Sequence, residues 1–190
     1  MKYKSSKGEK MFKKVIFALI ASTVALGASA EAYKLGNSDF KEGLKVWMSP
    51  QSAALPAEKT GFAVEKDGEG FCLAAVGTQA KKDYQLVQTI KLKEAEILGK
   101  RVRFGATAKA IKLTGTVEVM IREVQKNGKT IRYRALRWNK YSAPKDWKKA
   151  VMEFVPAKPT YILQFYIKSR HLLPGDKVLL KEPFVEISAK

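Results

Sequence analysis

The chain has 190 residues and a net charge of +18 at pH 7, with 36 lysines and arginines against 18 acids. A single histidine and a single cysteine exclude a zinc cluster built on several histidines and any internal disulfide. The cationic surplus favours polyanionic partners, such as acidic polysaccharide, lipopolysaccharide, an anionic membrane surface or nucleic acid, and says nothing about fold.

Residues 1–30 read as an export signal. Lys13 and Lys14 supply a basic start, Val15 to Leu26 an apolar stretch, and Ala28-Ser29-Ala30 a small-residue cleavage site. The stretch is 12 residues long, short of the roughly 20 a membrane-spanning helix needs. No cysteine follows the cleavage site, so no lipid anchor is expected. Met11 opens a complete signal by itself, and residues 1–10 read as the product of an early start codon. The mature domain is expected over 31–190, secreted or periplasmic, with a charge of +13 once six lysines and one glutamate leave with the signal. Cytosolic chemistry with nucleotides or nicotinamide cofactors is disfavoured there. The mature length suffices for one domain with a sizeable core.

After Glu31 the pattern is strand throughout. Period-two alternation recurs over Phe62–Lys66, Phe71–Val76, Tyr84–Leu92, Arg101–Ala110, Thr116–Val124, Thr130–Trp138, Trp147–Val155, Tyr161–Lys168 and Lys177–Ile187. Lys91 to Ile97 is compatible with one helical turn. Turn chemistry separates the strands at Lys66-Asp67-Gly68, Leu98-Gly99-Lys100, Lys126-Asn127-Gly128, Ala143-Pro144, Pro156 to Pro159 and Pro174-Gly175. Strands at this spacing without intervening helices predict an all-β antiparallel sandwich or barrel. Cys72 sits in the apolar run Phe71 to Val76 and is expected to be a buried, inert thiol.

Alternation assigns faces. Val102, Phe104, Ala106, Ala108 and Ala110 point inward, opposite Arg103, Thr107 and Lys109. Tyr161, Leu163, Phe165 and Ile167 point inward, opposite Gln164, Tyr166 and Lys168. Ala150, Met152 and Phe154 form a third inward set. For the hairpin at Asn127-Gly128, a two-residue turn would place Ile121 opposite Arg134 and Val119 opposite Leu136. A three-residue loop, Lys126 to Gly128 with glycine at positive φ, places Ile121 opposite Tyr133 and Val119 opposite Ala135. The second keeps one face apolar, which is what fixes register, and is the expected one. It opposes Arg122 to Arg132 on the outer face, beside Arg134.

Several motifs along the chain resemble those of carbohydrate-binding modules of families four, nine and twenty-two. Leu35-Gly36-Asn37-Ser38-Asp39-Phe40-Lys41-Glu42-Gly43-Leu44-Lys45-Val46-Trp47 resembles their opening. Leu98 to Phe104, running on to Lys109-Ala110, resembles an internal strand of the family. Asp146-Trp147-Lys148-Lys149 through Phe154-Val155-Pro156 resembles another, and Lys177 to Ile187 falls where the family has its last strand. The resemblance spans Leu35 to Ile187. It implies a galactose-binding-like jelly roll of two antiparallel sheets, a concave face that holds glycan, no catalysis, and Trp47 and Trp147 packed in the sandwich. It also implies a structural calcium, which two departures disfavour: Lys41 stands where an acid is expected, and Lys181 with Glu182 replaces an acidic pair. No other cofactor is expected.

Enzyme chemistry finds little support. His171 lies in the loop Ser169 to Leu173, where an exposed or capping role suits it better than a triad. Gly128-Lys129-Thr130 lacks the first glycine of a phosphate loop, and no carboxylate pair is singled out for glycosidase work. The expected function is a non-catalytic module that binds polysaccharide, an acidic glycan being favoured. Aromatic stacking and charge-assisted hydrogen bonds would hold it. The candidate ligand residues are Trp138, Tyr141, Gln164, Tyr166, Arg103, Lys109, Arg122, Arg132 and Arg134, with Trp138 reading equally well as core. The first alternative is an envelope interaction module docking a protein partner or the anionic cell surface. A single-strand nucleic-acid binder also mixes basic and aromatic residues, but export disfavours nucleic acid as partner.

Overall fold

A computed structural model describes residues 31–188 apart from 34, 48–51, 53, 81, 93–96 and 98. The expected export signal, and most of the expected helical turn after Lys91, lie outside the described residues. The elements are β1 (Glu31–Tyr33), α1 (Ala57–Thr60), β2 (Phe62–Asp67), β3 (Gly70–Val76), β4 (Tyr84–Lys91), β5 (Arg101–Lys112), β6 (Thr116–Val124), β7 (Thr130–Asn139), β8 (Lys148–Phe154), β9 (Ile162–Arg170) and β10 (Lys177–Ser188).

Two antiparallel sheets face each other. The six-stranded sheet runs β2-β3-β10-β5-β8, with β1 joining β10 at Glu31↔Ile187 to Tyr33↔Val185, beyond the end of the β3 pairing. The four-stranded sheet runs β4-β9-β6-β7. Each predicted strand is present, and β1 and the single-turn α1 add to them. The inward rows are those that alternation dictates. Val102, Phe104, Ala106 and Ala108 of β5 share one core with Val117, Val119 and Ile121 of β6 and Leu163, Phe165 and Ile167 of β9. A fully buried phenylalanine or leucine here contributes about 1.5–3 kcal/mol. Trp47 is buried against Phe40 and Phe165, with ring centroids 5.8 and 6.0 Å away, and its indole N–H donates to the Asn37 carbonyl at 3.2 Å. Tyr161, expected inside, is only half-buried.

The β6–β7 hairpin corrects the expected register. Its loop is the three-residue one: Gln125 N–H bonds Lys129 O at 2.9 Å, Gly128 N–H bonds Gln125 O at 3.0 Å, and Gly128 holds φ +84°, which a side chain would strain. One residue further in, the ladder slips. Val124 pairs with Thr130 but Glu123 pairs with Arg132, so Ile131 is bulged and Ile121 faces Arg134. A one-residue slip exchanges the faces of a strand. Arg132, Arg134, Leu136 and Trp138 therefore form the inner row of β7, and Tyr133, Ala135 and Arg137 the outer row.

The cause is Glu123. Its carboxylate is fully buried at the end of the inner row of β6 and needs compensating donors. Arg132 Nε supplies one, Ala157 N–H a second at 2.7 Å, and the Thr160 hydroxyl a third at 3.0 Å. Arg132 Nη2 also donates to the Val155 carbonyl at 2.5 Å. The Arg122–Arg132 opposition expected from the sequence does not occur; Arg122 stands opposite Tyr133.

Candidate functional site

The outer face of the six-stranded sheet is charge-paired. Lys177 meets Glu65 at 2.7 Å and Lys181 meets Asp67 at 3.0 Å. Arg103 reaches Glu186 at 3.1 Å and Glu153 at 3.7 Å, and Arg101 reaches Glu153 at 2.6 Å. Cys72, buried, lies among the first two pairs, and burial with the nearby Asp67 and Glu65 carboxylates pushes its thiol pKa up. Aromatic rings on this face are capped by ammonium groups. Lys181 Nζ sits 4.2 Å from the Trp147 centroid and Lys149 Nζ 4.8 Å from that of Phe184. Gly105 lets Phe184 lie close, since a Cβ there would stand 3.0 Å from the ring and 2.1 Å from Ala150 O. Trp147, expected in the core, is thus a half-buried residue beneath Lys181.

The outer face of the four-stranded sheet is different. Register places its side chains in transverse rows ~7 Å apart along the strands. One row is Thr89, Gln164, Arg122 and Tyr133. The next, apolar, is Val87, Tyr166, Met120 and Ala135. The third is Gln85, Lys168, Glu118 and Arg137, with Arg170 beyond it. Glu118 is the single carboxylate of these three rows among the described residues, and Arg122, Arg137 and Lys168 supply positive charge within them, with Lys91 and Arg170 beyond their ends. Glu118, 3% exposed, sits between Arg137 Nε at 2.6 Å and Arg170 Nε at 3.2 Å. Arg122 Nε is enclosed and lacks a hydrogen-bond partner among the described residues, whereas Arg170 Nε and Glu118 Oε2 face each other as an ion pair without hydrogen-bond alignment. Tyr166, 8% exposed, donates its hydroxyl hydrogen to Gln164 Oε1 at 2.9 Å.

Between the sheets, the edge strands β7 and β8 leave an open seam. One hollow of about 570 Å³ is lined by Leu136, Arg137, Trp138, Lys145, Asp146, Trp147, Lys148 and Ala150 among others. A second, about 670 Å³, is lined by Tyr133, Arg134, Ala135, Arg137 and β8 residues Met152 to Phe154, with Val155. Arg134 holds its guanidinium 5.9 Å from the Phe154 ring, with an enclosed Nε that has no partner among the described residues.

The candidate ligand residues are thus dispersed. Arg103 and Lys109 stand on the six-stranded face, the first of them ion-paired. Gln164, Tyr166 and Arg122 meet on the four-stranded face. Trp138, 6% exposed, belongs to the core, with Arg134 on its inner row, and Arg132 is engaged with Glu123. Tyr141 is 85% exposed in the β7–β8 loop, with Lys140 Nζ 4.7 Å from its centroid. Sequence reasoning missed Arg137, Arg170 and Tyr133; Lys168 and Arg170 extend the alternation of Gln164 and Tyr166, a signal that was available. His171 is exposed in its loop at φ +52°, 3.8 Å from Asp83.

The residues present do not suit the calcium that the resemblance implied. Lys41 Nζ pairs with Asp39 at 3.3 Å inside the opening loop, and Lys181 of the last strand is committed to Asp67. Among the described residues no group of three or more histidine, cysteine, aspartate or glutamate side chains converges as a metal site. Asp176, 2% exposed, is structural: burial alone would raise its pKa. The Thr114 hydroxyl and the Leu173 and Thr114 N–H groups outweigh that and hold it below its ordinary value.

No protein-family model matches the chain, and no curated protein matches it. Solved structures do. A family 16 carbohydrate-binding module superposes with a TM-score of 0.56 at 15% identity, covering 78% of this chain and 96% of the other. A structure titled "CBM4 structure and function" gives 0.50 at 15% identity, covering 82% and 100%. A cyclase from Fischerella sp. TAU gives 0.62 at 12% identity, covering 85% and 100%. The chain has the carbohydrate-binding-module jelly-roll fold, a fold that also serves enzymes. No helix among the described residues is long and apolar enough to cross a membrane.

Proposed function

We propose that the protein is exported and binds an acidic polysaccharide, without breaking any bond, on the outer face of its four-stranded sheet. The observation that carries this reading is the contrast in charge pairing. On the four-stranded face Glu118 is taken up by Arg137 and Arg170, while Arg122, whose enclosed Nε lacks a hydrogen-bond partner, and Lys168 have no carboxylate partner among the described residues. Arginine's planar fork suits carboxylate and sulfate groups. Gln164 and the Tyr166 hydroxyl can exchange hydrogen bonds with sugar hydroxyls, and the half-exposed Tyr133 ring offers a stacking surface beside Arg122. The shared fold with carbohydrate-binding modules supports a glycan over other polyanions.

A glycan array read at low and at moderate salt tests the proposal. Acidic polysaccharides should bind at low salt and weaken as salt screens the arginines, while neutral ones bind weakly at both. Arg122→Gln with Arg170→Gln should cost about tenfold or more in affinity for the acidic ligand. Binding confined to neutral glycans, or to a protein or lipid surface with every glycan silent, would overturn it.

A further inference from the structure

Resting on that reading of the four-stranded face, we infer that the glycan footprint turns over the edge strand β7 and continues into the seam between β7 and β8. All three outer-row residues of β7, Tyr133, Ala135 and Arg137, belong to both surfaces, and two of them carry polar groups. Arg137 meets Glu118 on the face at 2.6 Å and also lines both seam hollows. Tyr133, 53% exposed, stands beside Arg122 on the face and lines the second hollow. A chain leaving the face at either residue meets the seam next.

The seam has the chemistry to hold it. Lys145 and Lys148 are exposed and have no carboxylate partner among the described residues. Arg134, on the inner row where a ligand confined to the sheet face does not reach, lines the second hollow with its guanidinium beside the Phe154 ring. Leu136, Ala150 and half-buried Trp147 supply apolar surface for sugar ring faces, and Asp146 an acceptor for hydroxyls. Alternating cation and apolar surface of this kind suits a polymer whose acidic groups are separated by ring faces. The ligand is then the interior of an acidic chain long enough to span face and seam, and a short fragment occupies the face alone.

Heparin-derived fragments of defined size test this, with titration calorimetry of the intact exported protein against a tetrasaccharide and a dodecasaccharide. The dodecasaccharide should bind about tenfold more tightly. Lys145→Ala with Lys148→Ala, both exposed, should remove that advantage and leave the tetrasaccharide unchanged. Lys109→Ala with Lys112→Ala on β5 removes the same charge and should leave both affinities as they were. Arg122→Gln should weaken both fragments. Equal affinity for the two lengths, or the same loss for both with the Lys145/Lys148 variant, would overturn the inference and leave the face reading standing. Failure of both fragments to bind, or an Arg122→Gln variant that binds both normally, would overturn the face reading itself.

Discussion

The two outward sheet faces are built from the same residue types and dispose of their charges in opposite ways. On the six-stranded face, cations and carboxylates from strands far apart in sequence meet directly, Lys181 with Asp67 and Arg103 with Glu186, and lysine ammonium groups cap the half-buried rings of Trp147 and Phe184. On the four-stranded face a buried glutamate serves two arginines, and the enclosed Nε of Arg122 has no partner among the described residues. Paired charges at a surface contribute little to stability and offer little to a ligand. Enclosed arginine donors are costly unless something accepts from them. The difference separates a face whose carboxylates are matched to cations pair by pair from a face with fewer carboxylates than cations among the described residues.

The sharpest separation is between arginines that hold the fold and arginines that face outward. Arg132→Ala leaves the Glu123 carboxylate buried with its remaining donors, and should cost about 3 kcal/mol in denaturant unfolding while affinity per folded molecule is kept. A stable variant with weakened glycan binding would move Arg132 to the ligand face.

Asp176→Asn is the next effect, about 1–3 kcal/mol at neutral pH, through the Thr114 and Leu173 hydrogen bonds. The folded pKa is lowered from the reference 3.8, so the carboxylate's contribution is fully present above that value and lost as pH falls through the folded one. Acid unfolding of the variant, followed by circular dichroism, should therefore be less steep below pH 3.8.

Arg103→Gln breaks exposed pairs with Glu186 and Glu153 and should shift stability by less than about 1 kcal/mol. Smallest of all, thermal melts in calcium and in excess chelator should superimpose, because Lys41 and Lys181 already occupy the acids beside them. A chelator-dependent drop in midpoint would mean a bound ion contributes to folding.

Much of the fold was legible because it rests on local rules. Alternation gave the buried rows Val102 to Ala108 of β5 and Leu163 to Ile167 of β9, and the Asn127-Gly128 loop had the predicted length and glycine conformation. The bulge at Ile131 was not legible. It answers to Glu123, whose compensating donors come from Arg132, Ala157 and Thr160, and nothing in the hairpin itself announces Ala157 or Thr160. That single slip turned Arg132 and Arg134 inward and Tyr133 and Ala135 outward, so the ligand face drawn from the hairpin was half wrong. Of the two tryptophans, Trp138, open between ligand and core in the sequence, is core, and Trp147, expected in the core, is half-buried. Trp138 follows the slipped register into the core, whereas Trp147 precedes β8 and lies under Lys181, a partner distant in sequence.

The most direct test of the account compares one arginine from each face. Arg122→Gln and Arg103→Gln remove the same charge, and affinity for an acidic polysaccharide should be titrated for both across a range of salt. The account predicts that Arg122→Gln lowers affinity about tenfold at low salt and flattens the salt dependence. Arg103→Gln should bind as the wild type does. Equal losses from the two variants, or a loss from Arg103→Gln alone, would contradict the assignment of the ligand to the four-stranded face.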